Sequence, residues 1–144
     1  MRTFALASLA LALAACGGGT PARTTAEQSQ VDARAIQARI SGAWKLVDYK
    51  PEVPLDPMTQ ALLSSQIQTM TVRFDNGRLM ADSPAFHFTR TFQIAGAGGN
   101  MFKLIATDET GVSLTSSCTL SDDGGKIYFR GETEPWRGVG TLSR

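Results

Sequence analysis

Two cysteines, one histidine and a scatter of serines and carboxylates are what this chain offers for chemistry. Their spacing decides which of them can act. His87, within F-H-F-T-R-T-F, has no cysteine or carboxylate at ligand spacing. A lone imidazole makes a poor metal site, because zinc takes three or four nitrogen, sulfur or oxygen ligands. Ser116 and Ser117 sit in an alternating stretch with no nucleophile elbow and no histidine close in sequence, so acyl-enzyme chemistry lacks its base. The glycine-rich run at 96–100 (G-A-G-G-N) lacks the lysine and following helix of a phosphate cradle and reads as a hairpin tip. The acid pairs Asp108 with Glu109, Asp122 with Asp123, and Glu132 with Glu134 fall among turn residues, where a solvated carboxylate is the default. No catalytic constellation, metal or cofactor is expected.

Arg90 is the charge that stands out. Reading residues 85 to 94 with a period of two puts Phe86, Phe88, Phe92 and Ile94 on one face together with Arg90, and His87, Thr89, Thr91 and Gln93 on the other. A guanidinium on an apolar face has two readings. It can hold a ligand carboxylate bidentately in a low-dielectric cavity, or it can sit at a rim or pair with an acid of the chain. Either way it needs a partner, since a buried unpaired charge is too costly to persist. Phe86, Phe88, Phe92, Met70, Phe74 and Arg90 are the candidate lining of a site for an apolar or amphipathic ligand.

Cys16 belongs to a different chemistry. Arg2 supplies a positive start, and residues 4 to 15 form an apolar stretch of about twelve residues, where a spanning helix needs about twenty. That is the pattern of an export signal. It ends in Leu13-Ala14-Ala15-Cys16, which resembles the lipobox of bacterial lipoproteins. The resemblance implies a diacylglycerol on the Cys16 thiol, cleavage before Cys16 and acylation of the freed amine. One acyl chain holds a membrane marginally and two or three hold it stably, at roughly 0.8 kcal/mol per buried CH₂. Gly17 in place of aspartate after the cysteine is similar to the outer-membrane choice in bacteria that sort by that residue. The expected address is the cell envelope, on the periplasmic face of the outer membrane. Cys118 is then left without an intrachain partner, and its place in an alternating pattern reads as a buried, inert thiol, with an exposed reactive thiol as the alternative.

The elements that must position these residues follow from composition and periodicity. The 14 basic and 13 acidic residues nearly balance, which excludes the electrostatic footprint of a nucleic-acid partner. The length suits one domain plus a tether. Residues 17 to 26 have the small, polar composition of a flexible linker, and 27 to 40 a weak apolar stripe of Val31, Ile36 and Ile40. Three segments result: a signal at 1–15; the lipid-bearing cysteine, tether and short helix at 16–40; and a β domain at 41–144. The strands are predicted at 43–49, 67–74, 78–82, 85–94, 101–107, 112–120, 126–130 and 137–142, separated by turn residues. Asp56 and Pro57 open a helix over 58–65 after the first strand. Asp75-Asn76-Gly77 makes a tight hairpin. A meander of about eight strands has two exposed edges unless it closes, so an all-β, antiparallel up-and-down barrel is expected. Gly138 and Gly140 suit a sharp bend at closure.

Gly42-Ala43-Trp44 resembles the G-x-W that opens the first strand of lipocalins and the wider calycin group. The resemblance implies that Trp44 packs across the barrel base under an arginine from the end of the last strand. Since the last strand ends beside the start of the first, Arg144 is the better candidate than Arg137. Gly42, Trp44 and Arg144 are therefore the structural signature of a lipocalin-like domain. It implies a membrane-anchored binding module for a small hydrophobic ligand, not an enzyme. The alternative is a ligand-free lipoprotein that acts through its loops, as an enzyme inhibitor or envelope-assembly partner.

Overall fold

The computed structural model describes residues 24–85, 87–134 and 136–144. Residues 1–23, which include Cys16 and most of the segment expected as a tether, lie outside them, as do Phe86 and Pro135. The chain begins with helix α1 (Thr25–Ile40) and strand β1 (Gly42–Pro51), then helix α2 (Pro57–Gln66). It continues through β2 (Thr71–Asp75), β3 (Arg78–Asp82), β4 (His87–Gly98), β5 (Met101–Thr107), β6 (Ser113–Leu120), β7 (Lys126–Gly131) and β8 (Gly138–Ser143). Each strand pairs antiparallel with the next and β8 returns to β1, which closes an eight-stranded up-and-down barrel.

Local chemistry explains most boundaries. Asp56 caps α2 by accepting from the Met58 and Thr59 amides, each at 3.1 Å, with Pro57 at the first helical position. Asn76 and Gly77 take positive φ angles of 46° and 76°, and so turn β2 into β3 with Asp75 opposite Arg78. α1 starts with a capping box: the Glu27 amide donates to the Thr24 hydroxyl at 3.3 Å, and the Thr24 amide to the Glu27 carboxylate at 2.8 Å.

Three expectations change. Residues 67 to 70 are not strand. The Thr69 and Met70 amides bond the Gln66 carbonyl as α2 unwinds, and Gln68 adopts φ 71°. The run at 96–98 is not hairpin tip but the end of β4, carried past a register shift between Ala95 and Gly98 so that Ala97 is buried. In α1, Val31 is exposed, and the buried stripe is Ala33, Ile36 and Ile40 at helical spacing.

The barrel has two unlike ends. At one, α1 packs against β4 and buries Ile36 and Ile40 beneath the strands. Gly42 has φ 110°, a conformation that favours glycine, and this turns the chain from α1 into β1 so that Trp44 points under the barrel. The Trp44 indole N–H donates to the Ile40 carbonyl at 2.7 Å. The Arg144 guanidinium lies 4.3 Å from the Trp44 ring centroid and donates to the Arg39 carbonyl and, at 3.1 Å, to the Ser41 carbonyl. One cation thus stacks on the indole and satisfies carbonyls where α1 ends, the terminus at which a positive charge is favoured. Arg39 in turn donates to Asn100 at 2.7 Å, and Asn100 to Asp122 at 2.7 Å, which ties α1 to the two neighbouring hairpins.

At the other end stand α2 and the described connecting residues 83–85, 108–112, 132–134 and 136–137. The β1 to β2 ladder runs only from Gly42 opposite Phe74 to Lys45 opposite Thr71. Above it α2 completes the wall with its two buried residues, Leu63 and Gln66.

Cutting Arg144 to alanine removes a cation over an indole face, worth roughly 0.5 to 2 kcal/mol, and bonds worth about 1 kcal/mol each. The expected loss is about 2 to 4 kcal/mol in urea unfolding, with Arg144→Lys recovering only part because an ammonium lacks the planar fork. An unchanged midpoint for Arg144→Ala would contradict the role given to this end.

Candidate functional site

Inward-facing residues of the eight strands do not meet at the barrel centre. They enclose an apolar cavity of about 340 Å³. Its floor is Phe74, whose ring meets Phe92 edge-on at 5.3 Å. Its wall carries leucines from β1, β3, β5, β6 and β8 (Leu46, Leu79, Leu104, Leu114 and Leu142), together with Phe102, Ile127 and Phe129. Leu63 of α2 and Met70 close one side, and Trp136 stands at the rim.

Gly138 and Gly140 sit in β8 where it pairs with both β1 and β7, closing the barrel. They make room. Gly140 lies opposite both Tyr49 and Phe129, whose rings stack 6.2 Å apart, and a Cβ there would come within 2.4 Å of the Phe129 ring. A Cβ at Gly138 would reach 2.6 Å from the Lys50 carbonyl. The missing side chains let two aromatic rings lie flat on the wall, which shapes the cavity.

Of the residues singled out in the sequence, Met70, Phe74, Phe88 and Arg90 line this space. Phe92 does not. It is buried below the floor against Phe74, because β4 runs from the mouth to the closed end and has left the cavity by that residue. Phe86 lies outside the described residues.

Arg90 projects at the mouth with its guanidinium 5.7 Å from the Phe88 ring centroid. Its Nη1 donates to the Val112 carbonyl at 3.1 Å and faces the Asp108 carboxylate at 3.6 Å. The other oxygen of Asp108 caps its own turn, accepting from the Thr110 amide (2.9 Å), the Thr110 hydroxyl (2.7 Å) and the Val112 amide (2.9 Å). The Thr110 hydroxyl, the two amides and Arg90 together hold the Asp108 carboxyl below the usual carboxylate range. A residue that reads as a solvated turn acid is thus the partner Arg90 requires. Glu132 is likewise engaged, accepting from the Ser117 hydroxyl and from Lys103 at 3.4 Å, and its carboxyl is lowered, chiefly by Ser117. Glu52 pairs with Arg130 at 2.7 Å, and Glu134 with Arg137 at 3.4 Å.

Tyr49, Thr115, Ser116 and Thr133 are the uncharged hydroxyl-bearing residues of the lining, and the Thr133 hydroxyl accepts from the Thr115 amide at 3.0 Å. Tyr49 is pushed above its ordinary pKa, first by burial and then by Glu134 and Glu52. Cys118 lines the wall as a free buried thiol, its pKa pushed up to about 12 by burial. His87 is exposed on the outer face and pairs with Asp82. Tyr49, Leu63, Phe129 and Trp136 were not singled out from the sequence. Tyr49 and Phe129 sit at alternating positions that carried the signal, whereas Trp136 lies in an irregular loop without one.

Comparison of the chain with models of protein families, with curated proteins and with solved structures finds no match.

Cys118 is expected to resist a water-soluble disulfide reagent in the native protein and to react fully in denaturant. An unfolded thiol ionises near pH 8.5, while the folded one stays protonated to about pH 12. The unfolded state therefore gains from rising pH first. Any stability advantage of the parent over Cys118→Ala should shrink as pH climbs through that window, and an advantage that grows there would contradict the buried placement.

Proposed function

We propose that this chain is a membrane-anchored lipoprotein of the cell envelope whose barrel carries a small apolar or amphipathic ligand, with lipid on Cys16 as its anchor. The observation that carries the proposal is the cavity: about 340 Å³, apolar, floored at one end by Phe74 and opening at the other beside Arg90. Ligand pockets span about 300 to 1,000 Å³ and are mostly apolar with a few placed polar groups. Water gains little in such a space, since it needs two to four polar partners. The Trp44 and Arg144 stack also supports a lipocalin-like reading, in which a closed base leaves the opposite end to the ligand.

The rim supports a second reading. Val53, Met58, Leu62, Val112 and Trp136 are large, exposed and apolar, and all belong to segments at the mouth. A protein partner seated there would make the loops the working surface.

Two mass measurements on protein taken from its own envelope test the proposal. The intact mass should correspond to a chain that begins at Cys16 and bears acyl groups, and Cys16→Ser should lack that increment. Native mass spectrometry should find a small molecule retained one to one with the barrel. An unacylated mature chain overturns the anchor, and a chain repeatedly recovered empty overturns the carrier.

A further inference from the structure

We propose that the cavity selects ligands with an uncharged, hydrogen-bonding headgroup, such as an alcohol, ester or amide on an acyl tail, over free carboxylates. The inference rests on the carrier reading above and concerns the mouth alone. An arginine at the edge of an apolar cavity would ordinarily recruit an anion. Here the guanidinium is already matched by a carboxylate of the chain, with Asp108 3.6 Å from the Arg90 Nη1.

Asp108 cannot readily be pushed aside. One of its oxygens is committed to the Thr110 and Val112 amides and to the Thr110 hydroxyl, so the turn at 108–112 fixes the charge beside Arg90. A ligand carboxylate bound to Arg90 would therefore share one cation with a second carboxylate a few ångströms away. A like charge at about 4–6 Å disfavours an ionised group by a factor of ten or more. Two other arginines toward this end of the barrel are themselves paired. Arg130 is engaged by Glu52 at 2.7 Å and Arg137 by Glu134 at 3.4 Å.

A neutral headgroup escapes the penalty. It can accept from guanidinium N–H groups not used by Val112, since the fork presents five donors, and meet the uncharged side chains of Tyr49 and Ser116 in the lining. A cationic headgroup would face Arg90 itself. The chemistry that fits is polar, uncharged and attached to an apolar tail.

The test compares decanol with decanoate at neutral pH, each displacing the uncharged dye N-phenylnaphthylamine. It uses the full chain carrying Cys16→Ser, so that no attached acyl group competes. The tails are identical, and taking the preference ratio in two proteins cancels the different water solubilities of the ligands. In Asp108→Asn the side-chain oxygen still accepts from the turn amides while the charge is gone. The preference for decanol over decanoate is expected to fall by about tenfold in that variant. A ratio unchanged by Asp108→Asn, or a parent that binds decanoate the more tightly, overturns the headgroup inference and leaves the carrier reading standing. If neither the dye nor either ligand binds the parent, the carrier reading falls and this inference with it.

Discussion

Everything at the closed end turns on one indole. Trp44 is 1% exposed, and its ring N–H goes to the last carbonyl of α1 while Arg144, the final residue, covers its face. Three distant parts of the chain meet there: the entering helix, the first strand and the end of the last strand. The contact fixes where the meander begins and where it ends, which are the two facts a closed barrel must settle. It also gives α1 its task. A helix whose own apolar stripe is weak becomes the plug that seals one end of the sheet.

Sealing one end changes what the barrel interior can be. Ile36, Ile40, Trp44, Phe92 and Leu120 are buried together in the lower part. Above them the side chains stop short of one another. A void forfeits dispersion contacts along its whole lining, so an empty apolar cavity of this size is a standing cost that a bound apolar molecule would offset. Gly138 and Gly140 leave room on the wall for the Tyr49 hydroxyl and the Phe129 ring, which a Cβ at either position would crowd. At the mouth, charge balance takes over from packing, and the Arg90 and Asp108 pair sets the electrical character of the opening.

Much of this was legible in the sequence because a barrel is built from local alternation. The eight strands, the Asn76-Gly77 hairpin and the Asp56-Pro57 helix start each carry their signal within a few residues. Inward and outward faces of β4 follow directly from period two, with Phe88, Arg90 and Phe92 inside and His87, Thr89 and Thr91 out. What failed depended on depth or distance. Phe92 has the right face but the wrong height, and only the register of the whole meander says where the cavity floor falls. Residues 67 to 70 alternate like a strand, yet the last turn of α2 takes the Ile67, Thr69 and Met70 amides and only Gln68 donates to β1, at the Leu46 carbonyl. Asp108 lies 18 positions from Arg90, and nothing near it announces a partner. The Thr24 and Glu27 capping box was available as a local pattern and would have placed the start of α1 earlier.

Methyl NMR during titration with decanol tests the receptive interior most directly. The shifts should concentrate on inward methyls, those of Leu46, Leu79, Leu104, Leu114 and Leu142, and saturate at one ligand per chain, while the outward Val31 and Val139 stay fixed. Shifts confined to outward or rim methyls, or a spectrum that does not move, would contradict the proposed ligand-binding interior.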